Sequence, residues 1–321
     1  MSRVLITGGA GFIGAHLAPA LLKAGHGVRI AKRTPPVGRD ERGIESVAVG
    51  TIDGETDWSW ALEGIDLVVH LAGRAHVMHE TEPDARAAYF RTNVEGTRRL
   101  AEMAAAKGIA RLVFLSSIKV NGERTAGAPF TETDTPAPED DYGQTKWRAE
   151  RTLSEIAVRT GLQTVILRPP LVYGPGVKGN FLTLLKACAK GLPLPLGAIH
   201  NRRSFVYVGN LVDAVITCLF HDNAAGQTFL IRDGNDVSTP ALIRLASDSL
   251  DVRPRLIPIP PGLLRLTGAL TGRGGAVSRL TDSLVVDDAE IRSVLGWMPP
   301  YSMVEGLNKT AAWLRTGRAD I

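Results

Sequence analysis

Residues 3–14 read RVLITGGAGFIG: a short apolar run, a glycine cluster, then the first turn of an apolar-periodic segment. Gly9, Gly11 and Gly14 keep G-x-G-x-x-G spacing, and Gly8, Gly11 and Gly14 keep G-x-x-G-x-x-G. Glycines at these intervals let the chain turn tightly after a strand and bring its backbone against a pyrophosphate. The N-terminus of the following helix then stabilises the anion. A strand before the glycines and an amphipathic helix after them separate such a loop from an ordinary glycine turn. The stretch predicts a dinucleotide site at the head of a βαβ unit.

Downstream, strand-like runs recur at 27–31, 46–50, 66–72, 111–117 and 163–169. Helix-like segments lie at roughly 12–24, 57–63, 84–107 and 142–160. Short β-rich runs separated by helices imply an α/β fold, a Rossmann-type doubly wound parallel sheet with helices on both faces. Near-continuous apolar strands fit a sheet buried on both sides. After Pro169 the pattern changes, with loops at GPGVKG and KGLPLPLG. SFVYV (204–208) and the helix after it read as a return to the sheet. The expected division is a dinucleotide-binding domain of 1–168 plus about 204–231. A smaller, partly discontinuous C-terminal α/β lobe for substrate takes about 169–203 and 232–321.

The 321 residues are 44% hydrophobic and 22% charged, enough to bury a large core and too apolar for a disordered chain. The net charge of +4 is spread along the chain rather than gathered in a stripe, which argues against nucleic acid and suits an anionic small molecule. Cys188 and Cys218 have no metal or redox spacing and read as buried thiols in a reducing compartment. No apolar stretch approaches the ~20 residues that span a bilayer. With no signal peptide at the N-terminus, the expectation is a cytoplasmic protein.

Two places bear on chemistry. After the second strand, where an NAD site presents a carboxylate to the ribose, the chain offers Lys32 and Arg33. Two cations pair well with a 2′-phosphate, so NADP(H) is favoured over NAD(H); the alternative is that both are surface charges. Further on, Tyr142 and Lys146 are four apart, on one face of a helix. A free tyrosine, with a pKa of about 10, is a poor acid–base group at neutral pH; a lysine cation beside it, and the positive nicotinamide ring when oxidised, favour the phenolate and lower that pKa. His76 and His79 beside Glu80 lack an evident third ligand, and no metal site is expected.

TGGAGFIG, HLAG (70–73), TNVEGT (92–97), the serine strand RLVFLSS, YGQTK and RPPLVYGPG occur together and in order. Together they resemble an extended short-chain dehydrogenase/reductase of the nucleotide-sugar epimerase/dehydratase type, over nearly the whole chain. The resemblance implies that Ser117 hydrogen-bonds the substrate oxygen, Tyr142 is the acid/base, and Lys146 also holds the nicotinamide ribose. It implies a cofactor path along Gly8, Gly11, Phe12, Ile13, Gly14, Leu71, Ala72, Gly73 and Pro169, with Asn93 buttressing the site and Ile52 and Asp53 near the adenine. The family's usual Gly-Asp-hydrophobic sequence is replaced here by Gly50-Thr51-Ile52. On the substrate side, Asn180, Arg203, Arg279 and Asp282 resemble a nucleotide-diphosphate clamp, most similar to one for a UDP-sugar, with Asn210 where the family usually has aspartate. Arginine suits this task because its planar fork binds phosphate oxygens in pairs. A homodimer through the segments 84–107 and 142–160 is a further implication.

Family dehydratases carry an acid after the catalytic serine or threonine, and a general acid must reach the leaving oxygen. Ile118 and Lys119 replace it here, so dehydration is disfavoured. Lys119 is a candidate for steering an anionic substrate, or only for capping the strand end. The pattern SSIKVNGE, with Asn121 where epimerases show tyrosine, resembles reductases. The reading is NADPH-dependent reduction of the C4 keto group of a UDP-4-keto-6-deoxy-(N-acetyl)hexosamine for surface polysaccharide. The alternative is a UDP-sugar 4-epimerase with tightly held NAD. More distant is a non-catalytic NADP-binding scaffold, which Tyr142, Lys146 and Ser117 argue against.

Overall fold

A computed structural model describes residues 1–34, 38–75, 82–272 and 274–317. The strands in chain order are β1 (Arg3–Thr7), β2 (Gly27–Lys32), β3 (Gly38–Arg39), β4 (Glu45–Ala48), β5 (Leu67–His70), β6 (Arg111–Leu115), β7 (Gln163–Arg168), β8 (Leu171–Tyr173), β9 (Phe205–Tyr207) and β10 (Thr228–Leu230). Eight of them form one sheet in the order β10-β7-β6-β5-β1-β2-β4-β3, parallel except for the short antiparallel β3–β4 pair. The helices are α1 (Phe12–Lys23), α2 (Ala85–Phe90), α3 (Gly96–Ala106), α4 (Asp141–Thr160), α5 (Gly179–Ala189), α6 (Val208–Phe220), α7 (Thr239–Ser249), α8 (Pro261–Leu270), α9 (Gly274–Thr281), α10 (Ala289–Leu295) and α11 (Met303–Thr316).

Both faces of the sheet are covered, which is why its strands are apolar at successive positions. Val69, Val113 and Val165 meet Leu17 of α1 and Leu211 of α6 on one side. Val68, Leu112 and Phe114 meet Leu100 of α3 and Leu153 of α4 on the other. Cys188 and Cys218 are both buried free thiols. The strand ends that follow β1, β5, β6 and β7 converge at one edge, the carboxyl edge where open α/β sheets bind ligands.

Three expected elements differ. The segment 57–63 makes a single turn, Leu62 N–H to Trp58 O at 2.9 Å, and stops at Gly64, whose φ of +62° suits glycine. SFVYV does not return to the main sheet. Its strand β9 pairs in parallel with β8 in a separate two-stranded sheet, Val172 opposite Val206. Only α6 comes back to the main sheet, and β10 then closes the edge beside β7. The helical run expected over 84–107 is interrupted by a π-turn at Arg91–Glu95, which carries Asn93.

Candidate active site

The glycine loop packs against itself and against the turn after β5. Gly11 N–H reaches Gly8 O at 2.9 Å, and Gly8 takes φ +68°. A Cβ on Gly8 would lie 2.8 Å from the Ala72 nitrogen, and one on Gly14 only 2.4 Å from Gly9 Cα. Gly11 at the start of α1 provides no side-chain cap, and no acidic residue occupies the first turn. The leading N–H groups of that helix are thus suited to an anion. Leu71 N–H bonds Thr7 O, and Ala72 N–H bonds the Thr7 hydroxyl. The side chain of Phe12 packs into the C-terminal lobe, in the cluster of Tyr173 and Phe181, and Ile13 bridges that cluster and the core of the main sheet.

β6 ends just before Ser116, and Ser117 caps a 3-10 turn of Ile118–Val120. Its hydroxyl oxygen accepts the Lys119 N–H and is hydrogen-bonded to the Tyr142 hydroxyl. Tyr142 and Lys146 lie in the first two turns of α4, which Asp140 caps by accepting the Gly143 N–H. Lys146 is buried, with Nζ 4.1 Å from the centre of the Phe114 ring. The Pro169 carbonyl accepts the Ile118 N–H, tying the end of β7 to the serine turn.

The protonation states differ from the sequence expectation. Burial pushes the Tyr142 hydroxyl up to about 12, the Asp140 carboxylate adds to this, and the Ser117 bond opposes it. Burial brings Lys146 down to about 7, with Glu150 opposing. The protein by itself therefore holds the tyrosine as a phenol rather than lowering it. The oxidised nicotinamide ring is a charge that would lower it when bound.

Ile118 turns into a small apolar cluster with Leu230, Leu284 and Val286. Lys119 lies between two carboxylates, Glu123 at 2.7 Å and Asp140 at 2.5 Å. Neither residue presents a proton donor of carboxylic type, and Glu123 and Asp140 are both engaged by Lys119. Asn121 is buried, receiving Arg168 Nη1 at 3.0 Å and donating to Thr131 O at 2.8 Å. Its two hydrogen bonds tie the serine turn to β7 and to Thr131.

Beneath these groups lies a polar layer that sequence reasoning missed. Asn93 exchanges hydrogen bonds with the Arg74 backbone, 2.7 Å to N and 3.0 Å to O, and donates to Thr145. The Asn93 carbonyl accepts from the Thr97 hydroxyl, which must then accept from His70 Nε2. His70 Nδ1 is consequently the acceptor of the Thr7 hydroxyl, so the chain runs in one direction from Ala72 N–H to Asn93 O. This fixes the Nε2–H tautomer. Burial, with Lys146 nearby, lowers His70 to about 3. On the far side of Lys146, Glu150 receives Arg168 at 2.6 Å and bonds the Ser116 hydroxyl. Glu150 could have been suspected from its place one turn after Lys146; the threonine–histidine chain had no sequence signal.

Lys32 ends β2 half-buried, and Arg33 follows it exposed. Ile52 packs so closely on Gly96 that a Cβ there would lie 2.6 Å from Ile52 Cγ2. The Asp53 carboxylate accepts the Glu55 N–H and the Thr56 hydroxyl, holding its own turn. A Cβ on Gly73 would lie 3.2 Å from Asn93 Oδ1 and 3.6 Å from Lys146 Nζ, so this glycine lets the chain after β5 pass beside the lysine. His76, His79 and Glu80 lie outside the described residues.

An open cleft of 560 Å³ lies between the serine turn's extension and α8–α9, lined by Arg124, His200, Arg265 and Asp282 among others. Arg203 donates to the Asp282 carbonyl at 2.9 Å, and the Asp282 carboxylate accepts Arg265 at 2.7 Å. Exposed Arg279 is close enough to Arg203 to add to the downward pull that burial exerts on the Arg203 guanidinium. Arg203 and Arg279 thus lie beside Asp282, which lines the cleft with Arg124 and Arg265. Asn180 sits exposed in the first turn of α5 and does not line this cleft. Asn210 is buried, donating to Asp233 and Tyr301 O and accepting the Tyr301 N–H. An aspartate could not donate to Asp233, which accounts for the asparagine.

The model of the NAD dependent epimerase/dehydratase family matches residues 4–231, from the first strand to the end of the main sheet. The chain belongs to this family. Among family proteins it is 43% identical to UDP-glucose 4-epimerase of Vibrio cholerae, over 96% of this chain and 94% of that protein. UDP-glucose 4-epimerase of Thermotoga maritima, solved with UDP-glucose, is similar at 25% identity and a TM-score of 0.77, covering 98% and 99% of the two chains. The MoeE5 structure with UDP-glucuronic acid and NAD is similar at 28% identity and a TM-score of 0.79, covering 98% and 100%. The family's α/β architecture, with its small second sheet, is the one observed here.

Proposed function

We infer that this protein is a UDP-sugar 4-epimerase that retains NAD through its cycle. The observation that carries the reading is the 43% identity with a UDP-glucose 4-epimerase over nearly all of both chains. The site supports it: a serine hydroxyl, a tyrosine bonded to it and a lysine one turn further on, with Glu123 and Asp140 both committed to Lys119. The identity weighs for the epimerase over the reductase read from sequence.

The residues fit a dinucleotide, because the tight glycine cradle and the uncapped start of α1 are formed without strain in the backbone. Gly8–Gly14 would hold the pyrophosphate, Ile52 and Asp53 the adenine side, and Gly73, Asn93 and Lys146 the nicotinamide side. When bound, the cofactor supplies reversible two-electron chemistry at C4. Ser117 binds the C4 oxygen. Tyr142 takes the proton from that oxygen as the alcohol becomes a ketone and gives it back on reduction. Lys146, when protonated, stabilises the phenolate. Arg203, Arg279 and Arg265 hold the nucleotide phosphates, so the sugar is free to turn while the nucleotide stays fixed.

Incubating the protein with UDP-glucose and NAD, and separating products by chromatography, should show UDP-galactose with no net change in nicotinamide absorbance. Tyr142→Phe should cut turnover by about 10²–10⁴-fold while cofactor binding persists. A second reading, the NADPH-dependent 4-ketoreductase, is favoured by Lys32 and Arg33 at the end of β2. Stoichiometric loss of NADPH with a UDP-4-keto sugar, and no epimer from UDP-glucose, would give that reading the site.

A further inference from the structure

The lobe presents an unusual surface between Val252 and Thr281. This run of sequence contains arginines but no Asp, Glu or Lys. Arg253, Arg255, Arg265 and Arg279 are all exposed. Among them stand exposed leucines of α8: Leu263 at 50%, Leu266 at 56% and Leu270 at 79%.

The helix geometry shows that these leucines form one face. At 3.6 residues per turn, Leu263, Leu266 and Leu270 fall within about 60° of arc, and Leu264 and Gly268 centre about 150° away. The second face is the packed one. Leu264 joins the cluster of Ile243 and Leu250, and a Cβ on Gly268 would lie 2.6 Å from Val277 of α9. That close approach locks α8 onto α9, so the leucine face cannot roll inward. Single exposed leucines need no explanation, but three on one face in a run of exposed arginines, of which Arg265 is paired with Asp282, do.

We propose that the α8 face docks on the surface of an anionic phospholipid bilayer, with its leucines in the interfacial layer and Arg253 and Arg255 on the headgroups. Apolar side chains flanked by arginine, on a run whose flanking acids are Asp251 and Asp282, the latter paired with Arg265, are the chemistry of an interfacial helix. Among the described residues no helix is long and apolar enough to cross a membrane, so the contact is peripheral. Pro261 and Arg265 of the same helix line the 560 Å³ cleft. Docking therefore sets the mouth of that cleft beside the membrane.

The test is flotation of the full chain with vesicles of phosphatidylcholine alone or mixed with phosphatidylglycerol. Binding should require the anionic lipid and fall with added salt. Leu266→Ser with Leu270→Ser should lower partitioning by about tenfold or more. Arg253→Gln with Arg255→Gln should lower it by about tenfold on anionic vesicles only. The leucine variant should turn over a soluble UDP-sugar as the parent does, which separates this proposal from the assignment of the reaction. Absence of binding to anionic vesicles, or equal binding by the leucine variant, would overturn it. So would sedimentation showing that the leucine variant converts a dimer to monomers, which would assign the face to a second copy of the chain.

Discussion

Lys119 Nζ lies 2.5 Å from Asp140 Oδ2, while Oδ1 of the same carboxylate accepts the Gly143 N–H at 2.7 Å and caps the helix that carries Tyr142. One carboxylate thus answers to a lysine on the serine turn and sets the start of the catalytic helix. Its charge also helps hold Tyr142 up at about 12. Asp140→Asn keeps a good cap and removes the charge. The pH midpoint of the tyrosine-dependent limb should move to lower pH, with stability changed by less than about 1 kcal/mol. A pH–rate profile beside a thermal melt checks both; an unmoved limb would remove Asp140 from the electrostatics of the site.

His70 makes stability depend on acid. Its unfolded value is 6.5 and its folded value about 3, so between these the unfolded chain binds the extra proton. The contribution is fully present above 6.5 and is lost as pH falls toward 3, at up to about 1.4 kcal/mol per pH unit. His70→Gln should cost stability at neutral pH, because one of the two threonine bonds is lost, yet flatten the slope between pH 6 and 4. Urea unfolding at several pH values measures this, and parallel slopes for variant and parent would assign the acid sensitivity elsewhere.

Glu150 and Arg168 form a buried ion pair at 2.6 Å directly behind Lys146. Removing one partner leaves the other charge buried, which typically costs about 3–5 kcal/mol. Glu150→Gln should therefore lower the melting temperature sharply. It should also move Lys146 below about 7, since Glu150 opposes the effect of burial on that amine. Calorimetry reads the first effect and NMR titration of the lysine side chain the second.

Gly14→Ala would place a methyl group 2.4 Å from Gly9 Cα and 2.7 Å from Gly8 O, against backbone that cannot swing aside. A loss of about 1–3 kcal/mol is expected, as for other overpacked sites. NAD affinity should fall with it, measured by fluorescence titration, because the loop must open to admit the methyl.

The parts of this molecule that were legible in sequence share a physical reason. The glycine loop and the Tyr142–Lys146 pair are local, fixed by turn sterics and by helical repeat. The covered sheet showed in the apolar runs of β1, β5, β6 and β7, because burial on both faces leaves few polar positions. What was hidden depends on partners distant in the chain. Lys119 meets Asp140 across 21 positions, and Arg168 meets Asn121 across 47. SFVYV has the composition of a strand but nothing in it names β8 as its partner. Asn93 was named from the family resemblance, while the π-turn that carries it and the histidine beneath it had no pattern to betray them.

The way β9 leaves the main sheet has a consequence for how the protein can be taken apart. The chain passes from sheet to lobe after β7, returns after β9 into α6, and leaves again after β10. A fragment ending at Arg168 would lack both α6, which covers one face of the sheet, and β10, which guards its edge. Neither half is a bead on a string. Proteolysis at any one connecting loop should leave the pieces associated, and the halves should melt in a single transition.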